Sequence, residues 1–102
     1  MNEKIQKIKE LSDDIGVLYV EDNIGLSNNM QTLLSRMFHK IYIAHDGEEG
    51  YKEYIKHRPK IVITDINMPK LNGFQMINKI KLIEPQCKTI VVSAYDEKNQ
   101  LY

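Results

Sequence analysis

The sequence predicts one α/β domain: a parallel sheet with helices covering its faces. Two observations carry this. Four short apolar runs rich in β-branched residues, at 15–20, 41–44, 61–64 and 89–93, alternate with segments of helical period. Strand, helix, strand repeated three times leaves a parallel sheet with right-handed crossovers as the natural arrangement. A chain of 102 residues has room for a single core.

Each element has its own signature. Residues 1–13 form an extension in which Met1, Ile5 and Ile8 share one face amid Lys and Glu, a short amphipathic helix, so the domain proper is expected over 14–102. The run at 15–20 ends in Glu21-Asp22. Leu26, Met30, Leu33, Leu34 and Met37 then recur at i, i+4, i+7, i+8 and i+11, a stripe down one helix. After the second run, Asp46-Gly47-Glu48 reads as a helix start, with acids favoured by the helix dipole. Tyr51, Tyr54 and Ile55 supply the apolar face of that helix, bounded by Pro59. The third run ends at Asp65, followed by a loop punctuated by Asn67, Pro69, Asn72 and Gly73. Phe74, Ile77, Ile80 and Ile83 form a third helical stripe that stops near Pro85. The fourth run closes on Ser93-Ala94, and Tyr95 follows.

Composition excludes several classes. Fourteen basic side chains balance fourteen acidic ones, so nothing in the charge total points to direct nucleic-acid binding or to an anionic membrane. No apolar run approaches the roughly 20 residues of a membrane span, and no signal peptide opens the chain. Cys87 is the only cysteine, which rules out an internal disulfide and makes a reducing cytoplasm the expected location. His39, His45 and His57 share no metal-ligand spacing and are expected at the surface.

The chemistry gathers around Asp65. In open α/β sheets, ligands bind at the carboxyl ends of the strands. Glu21 and Asp22 end one strand and Asp65 another. On neighbouring strands, about 4.8 Å apart, the three carboxylates would share one small volume. Left unneutralised they repel, and at least one pKa should rise. A hard divalent cation resolves the conflict, and Mg²⁺ suits an open acidic pocket because it retains several waters. Ser93 at another strand end could donate to an oxygen held above Asp65. A positioned carboxylate, a metal and surrounding donors are what phosphoryl transfer to an aspartate needs.

These motifs, the strand–Glu21-Asp22 pair, the Asp65-x-Asn67-Met68-Pro69-x-x-x-Gly73 loop and the strand–Ser93-Ala94 pair, occur in order on the expected elements. Over residues 14–102 the chain resembles the receiver domain of two-component response regulators. The resemblance implies a doubly wound, flavodoxin-like fold with strand order 2-1-3-4. It implies that Asp65 is the phosphoacceptor and that Asp22 binds Mg²⁺ directly. Glu21 would act through a metal-bound water, and the Asn67 main-chain carbonyl would be a further ligand. Ser93 would hydrogen-bond a phosphoryl oxygen, Ala94 would leave space for the group, and Tyr95 would modulate dephosphorylation. The implied partner is a histidine kinase or phosphotransfer protein, and the implied docking surface includes the helix after Asp22, with Ile24, Leu26 and Met30 as contacts. No enzymatic activity is implied beyond self-phosphorylation from small phosphodonors and autodephosphorylation. The alternative is a pseudo-receiver that docks proteins without phosphorylation.

The family also has a fifth strand and helix, with a Lys that pairs with the phosphoryl group and a switch aromatic. The sequence stops at Tyr102, before the expected place of either; Lys88, Lys98 and Tyr102 do not stand at matching positions. The expectation is therefore a four-stranded sheet whose last strand has an uncovered edge, open to homodimer formation.

Overall fold

The computed structural model describes residues 3–4 and 15–92, so most of the amphipathic extension and the Ser93–Tyr95 positions lie outside the described residues. Within them, β1 (Gly16–Val20), α1 (Ile24–Leu34), β2 (Lys40–Ala44), α2 (Gly47–His57), β3 (Ile61–Thr64), α3 (Gly73–Ile83) and β4 (Lys88–Val91) follow one another. The strands form a parallel sheet in the order β2-β1-β3-β4. Strand order and element sequence are those the resemblance implied.

The central position of β1 explains its composition. All five of its residues are buried, because helices cover both faces. Leu18 and Val20 point to one face, where they join Ala44, Val62, Tyr54, Met76, Ile80 and Cys87 under α2 and α3. Val17 and Tyr19 point to the other, packing with Ile63 and Leu34 under α1. Alternation along a strand thus divides one apolar run between two cores.

Capping residues set the helix starts. Asn23, Asp46 and Asn72 accept backbone N–H bonds from Leu26, Glu49 and Gln75 respectively. At α3 the Gln75 side chain also accepts from the Asn72 amide, at 2.9 Å, completing a reciprocal capping box. Asn72→Ala should cost about 1 kcal/mol, read as a lower urea midpoint at unchanged m-value.

Two apolar stripes are only partly buried. Leu34 is buried and Met30 and Met37 pack beside it, yet Leu26 and Leu33 are 43% and 49% exposed. The reason is position: α1 rests over β1 and β2, and the two leucines lie toward the other flank, beside Val92. On α3 the buried face is Met76, Ile77 and Ile80, while Phe74 is 53% exposed. Six residues at about 100° each place Phe74 roughly 240° round the helix from Ile80. No helix among the described residues is long and apolar enough to cross a membrane.

Candidate functional site

Parallel register brings the acids together. β1 and β3 pair Val20 with Thr64, so the next residues, Glu21 and Asp65, leave adjacent central strands side by side. The backbone continues the ladder there: the Asp65 amide donates to the Val20 carbonyl at 3.0 Å, and the Glu21 amide donates to the Ala44 carbonyl at 3.1 Å. One ligand atom from each of Glu21, Asp22 and Asp65 lies within 4.8 Å of the others. Among the described residues this is the group of acids placed to share a cation.

The three carboxylates differ in environment. Glu21 is buried, Asp65 half-buried and Asp22 exposed. Burial pushes the Glu21 carboxyl above its ordinary value; the Asn23 amide, donating to Oε2 at 3.0 Å, opposes the rise, and Asp22 and Asp65 add to it. Asp65 is also raised, chiefly by burial, against the Ile66 amide and with a contribution from Asp22. The same negative field reaches Tyr19, whose phenol is pushed up to about 12 by burial and then by Glu21 and Asp65.

These shifts have a sign in stability. The folded chain holds the Glu21 and Asp65 protons more tightly than the unfolded chain does. Without metal, stability should therefore fall as pH rises from the ordinary values of 4.5 and 3.8 through the raised folded ones, and level off above them. Glu21→Gln should flatten that slope in urea denaturation series in EDTA; an unchanged slope would mean Glu21 does not carry it.

The loop after Asp65 is braced at several points. The Thr64 hydroxyl donates to the Asp65 carbonyl at 2.8 Å, and the Gly73 amide donates to the Ile66 carbonyl at 2.8 Å. Lys70, in the left-handed region at φ 69°, reaches Asp46 at 3.7 Å. A Cβ on Gly47 would lie 1.9 Å from the Leu71 carbonyl oxygen, so the start of α2 seats directly on the loop backbone. Asn67 is exposed on this loop.

His45 was expected at the surface, away from any role. Instead it is half-buried, and its Nδ1 lies 3.1 Å from the Glu21 carbonyl oxygen. The register signal was available: Val20 pairs with Ala44, which puts His45 abreast of Glu21. Asn23 caps α1, which leaves the Glu21 and Asp22 carboxylates for the cluster.

The donor set fits a hard cation. Three carboxylates offer oxygen only, and one of them is solvent-exposed, an arrangement suited to an ion that keeps part of its water shell. An α/β sheet in this order with acids at the carboxyl ends of its central strands defines a receiver-type domain. Residues 17–102 match the response regulator receiver domain model, and the chain belongs to that family.

Among solved structures, the chain is similar to the N-terminal domain of an uncharacterised protein of Wolinella succinogenes. Identity is 38%, the TM-score is 0.75, and the match covers 82% of this chain and 68% of that one. It is also similar to CheY–CheX–BeF3–Mg from Borrelia burgdorferi, at 31% identity and TM-score 0.73, covering 82% of this chain and 66% of that one. Among curated proteins it is 43% identical over 60 residues to the transcriptional regulatory protein HptR of Staphylococcus aureus. That match spans 59% of this chain but only 23% of the relative's length. The chain is thus a signal-transduction module of the two-component class.

Proposed function

We propose that this domain accepts a phosphoryl group on Asp65 from a histidine kinase or phosphotransfer protein, with Mg²⁺ held at the acidic cluster. The observation that supports this most is the convergence of Glu21, Asp22 and Asp65 within 4.8 Å at the carboxyl ends of neighbouring strands. Asp22, Asp65 and the Asn67 main-chain carbonyl would hold the ion, with Glu21 completing the acidic set. When bound, Mg²⁺ neutralises the crowded negative charge and stabilises phosphoryl oxygens.

The remaining work falls to the chain itself. A carboxylate oxygen of Asp65 attacks phosphorus as the bond to the donor breaks, and the leaving histidine nitrogen or acetate oxygen keeps the electron pair. The Thr64–Asp65 and Gly73–Ile66 hydrogen bonds hold the backbone around the nucleophile during that displacement. In this reading Ser93 donates to a phosphoryl oxygen, Ala94 leaves room for the group, and Tyr95 modulates dephosphorylation.

Incubation with acetyl phosphate should add the mass of one phosphoryl group in Mg²⁺ and none in EDTA. An unmodified mass under both conditions, with no Mg²⁺-dependent amide shifts at Asp22 or Asp65, would leave a docking role without phosphorylation. HptR and the other regulators are far longer than the matched segment, so no DNA contact is assigned to these residues.

A further inference from the structure

A second cleft, of about 480 Å³, opens at the opposite end of the sheet, where β3 and β4 begin. Its volume falls in the range of small-molecule sites. The buried Tyr54 and Cys87, with Pro59 between them, make an apolar floor. Arg58, Lys60 and Lys88 stand at the rim, facing one acid, Glu84. Glu84 Oε1 is already engaged, accepting from the Gln86 amide at 2.8 Å.

The local charge excess does not follow from composition, since the chain as a whole is neutral. Lys52 and Lys70 pair with Glu48 and Asp46, and beside the cleft Lys81 donates to the Pro85 and Cys87 carbonyls. The three rim cations, like Arg36, Lys40 and Lys56, have no ion pair among the described residues; what sets the three apart is that they line one cleft. Arg58 is held in place by its backbone. It caps α2 in the left-handed region, at φ 49°, which turns the chain toward Pro59 and sets the guanidinium 5.6 Å from the Tyr54 ring centroid. The Cys87 sulfur sits 3.8–3.9 Å from the carbonyl oxygens of Pro59, Lys60 and Lys88, so the thiol is part of the floor.

We propose that this cleft binds a small amphipathic carboxylate, its apolar body on Tyr54, Pro59 and Cys87 and its anionic end among Arg58, Lys60 and Lys88. The carboxyl ends of α2 and α3 border the same cleft and carry partial negative charge. A compact polyanion would meet that charge. A molecule with a single carboxylate at the rim presents only its apolar part there.

The test is an amide-resolved NMR titration of the chain with 1-naphthoate and, separately, with the neutral 1-naphthamide at matched ionic strength. Naphthoate should give saturable shifts at Lys60, Gln86, Cys87 and Lys88, and naphthamide should bind roughly tenfold more weakly. The exposed double variant Arg58→Asn, Lys88→Gln should lower naphthoate affinity by roughly tenfold and leave naphthamide within about twofold; Asn tolerates the left-handed cap. Equal affinity for the two probes would overturn the proposal, as would indifference of naphthoate binding to the double variant. So would shifts confined to the groove of Leu26, Met30 and Val92, or no saturable shift at all.

Discussion

Gly73→Ala should destabilise the domain by about 2–3 kcal/mol and disable Asp65, although alanine is the better helix former. A Cβ at position 73 would lie 2.1 Å from the Asp65 carbonyl oxygen and 3.1 Å from its carbonyl carbon. Both are backbone atoms and cannot rotate aside. Either α3 lifts from the sheet or the peptide after the acceptor moves, and the Thr64 hydroxyl loses its partner. Gly25→Ala is the control. Its Cβ would meet only the Asn23 side-chain oxygen, at 3.4 Å, on the exposed side of α1. That change should be neutral or stabilise by up to about 1 kcal/mol. Opposite signs for one chemical substitution, read from urea midpoints, would establish close backbone approach as the cause. Equal effects would contradict it.

The second large effect is a sign reversal at the acidic cluster. In EDTA, Asp65→Asn and Asp22→Asn should each raise the melting temperature, because removing one charge relieves repulsion among three carboxylates within 4.8 Å. In millimolar Mg²⁺ the advantage should shrink or invert, since the wild type gains ion-binding energy that the variants forfeit. Identical melting temperatures for wild type and variants in both buffers would mean that the three acids do not act as one site.

Much of this architecture could be read from residue order, for a specific reason. In a parallel sheet, strand ends fall at one edge, so Glu21-Asp22 and Asp65 at the ends of two apolar runs already implied convergence. The register of Val20 on Thr64 then leaves little freedom in how they meet. Helical period was a weaker guide. It found the stripe containing Leu26 and Leu33 but could not say which flank of α1 the sheet would cover. Period-three spacing also drew Phe74 into a face centred on Met76 and Ile80. Contacts between distant segments left no local trace. The role of Gly47 depends on the Leu71 carbonyl, and that of Lys70 on Asp46. Histidine spacing carries no sign of the His45 contact, because its partner is the Glu21 main chain on the neighbouring strand.

The cleft rimmed by Arg58, Lys60 and Lys88 was hidden for the same reason. Its residues come from the ends of two helices and the starts of two strands. It stands at the amino end of the sheet, with the acidic cluster at the carboxyl end. A four-residue β3 separates the two by more than about 10 Å. The two ends carry opposite charge, so anionic probes and divalent cations should sort between them.

The most direct measurement identifies the residue that carries the phosphoryl group. The chain is incubated with acetyl phosphate and Mg²⁺ and reduced with borohydride, whose hydride converts an aspartyl phosphate to homoserine with loss of phosphate, and the product is mapped by peptide mass spectrometry. Homoserine at position 65, lost in EDTA and in Asp65→Asn, is the predicted result. Homoserine at another aspartate, hydroxynorvaline at a glutamate, or neither while Mg²⁺ binding to Asp22 and Asp65 is intact, would contradict the assignment of Asp65 as the acceptor.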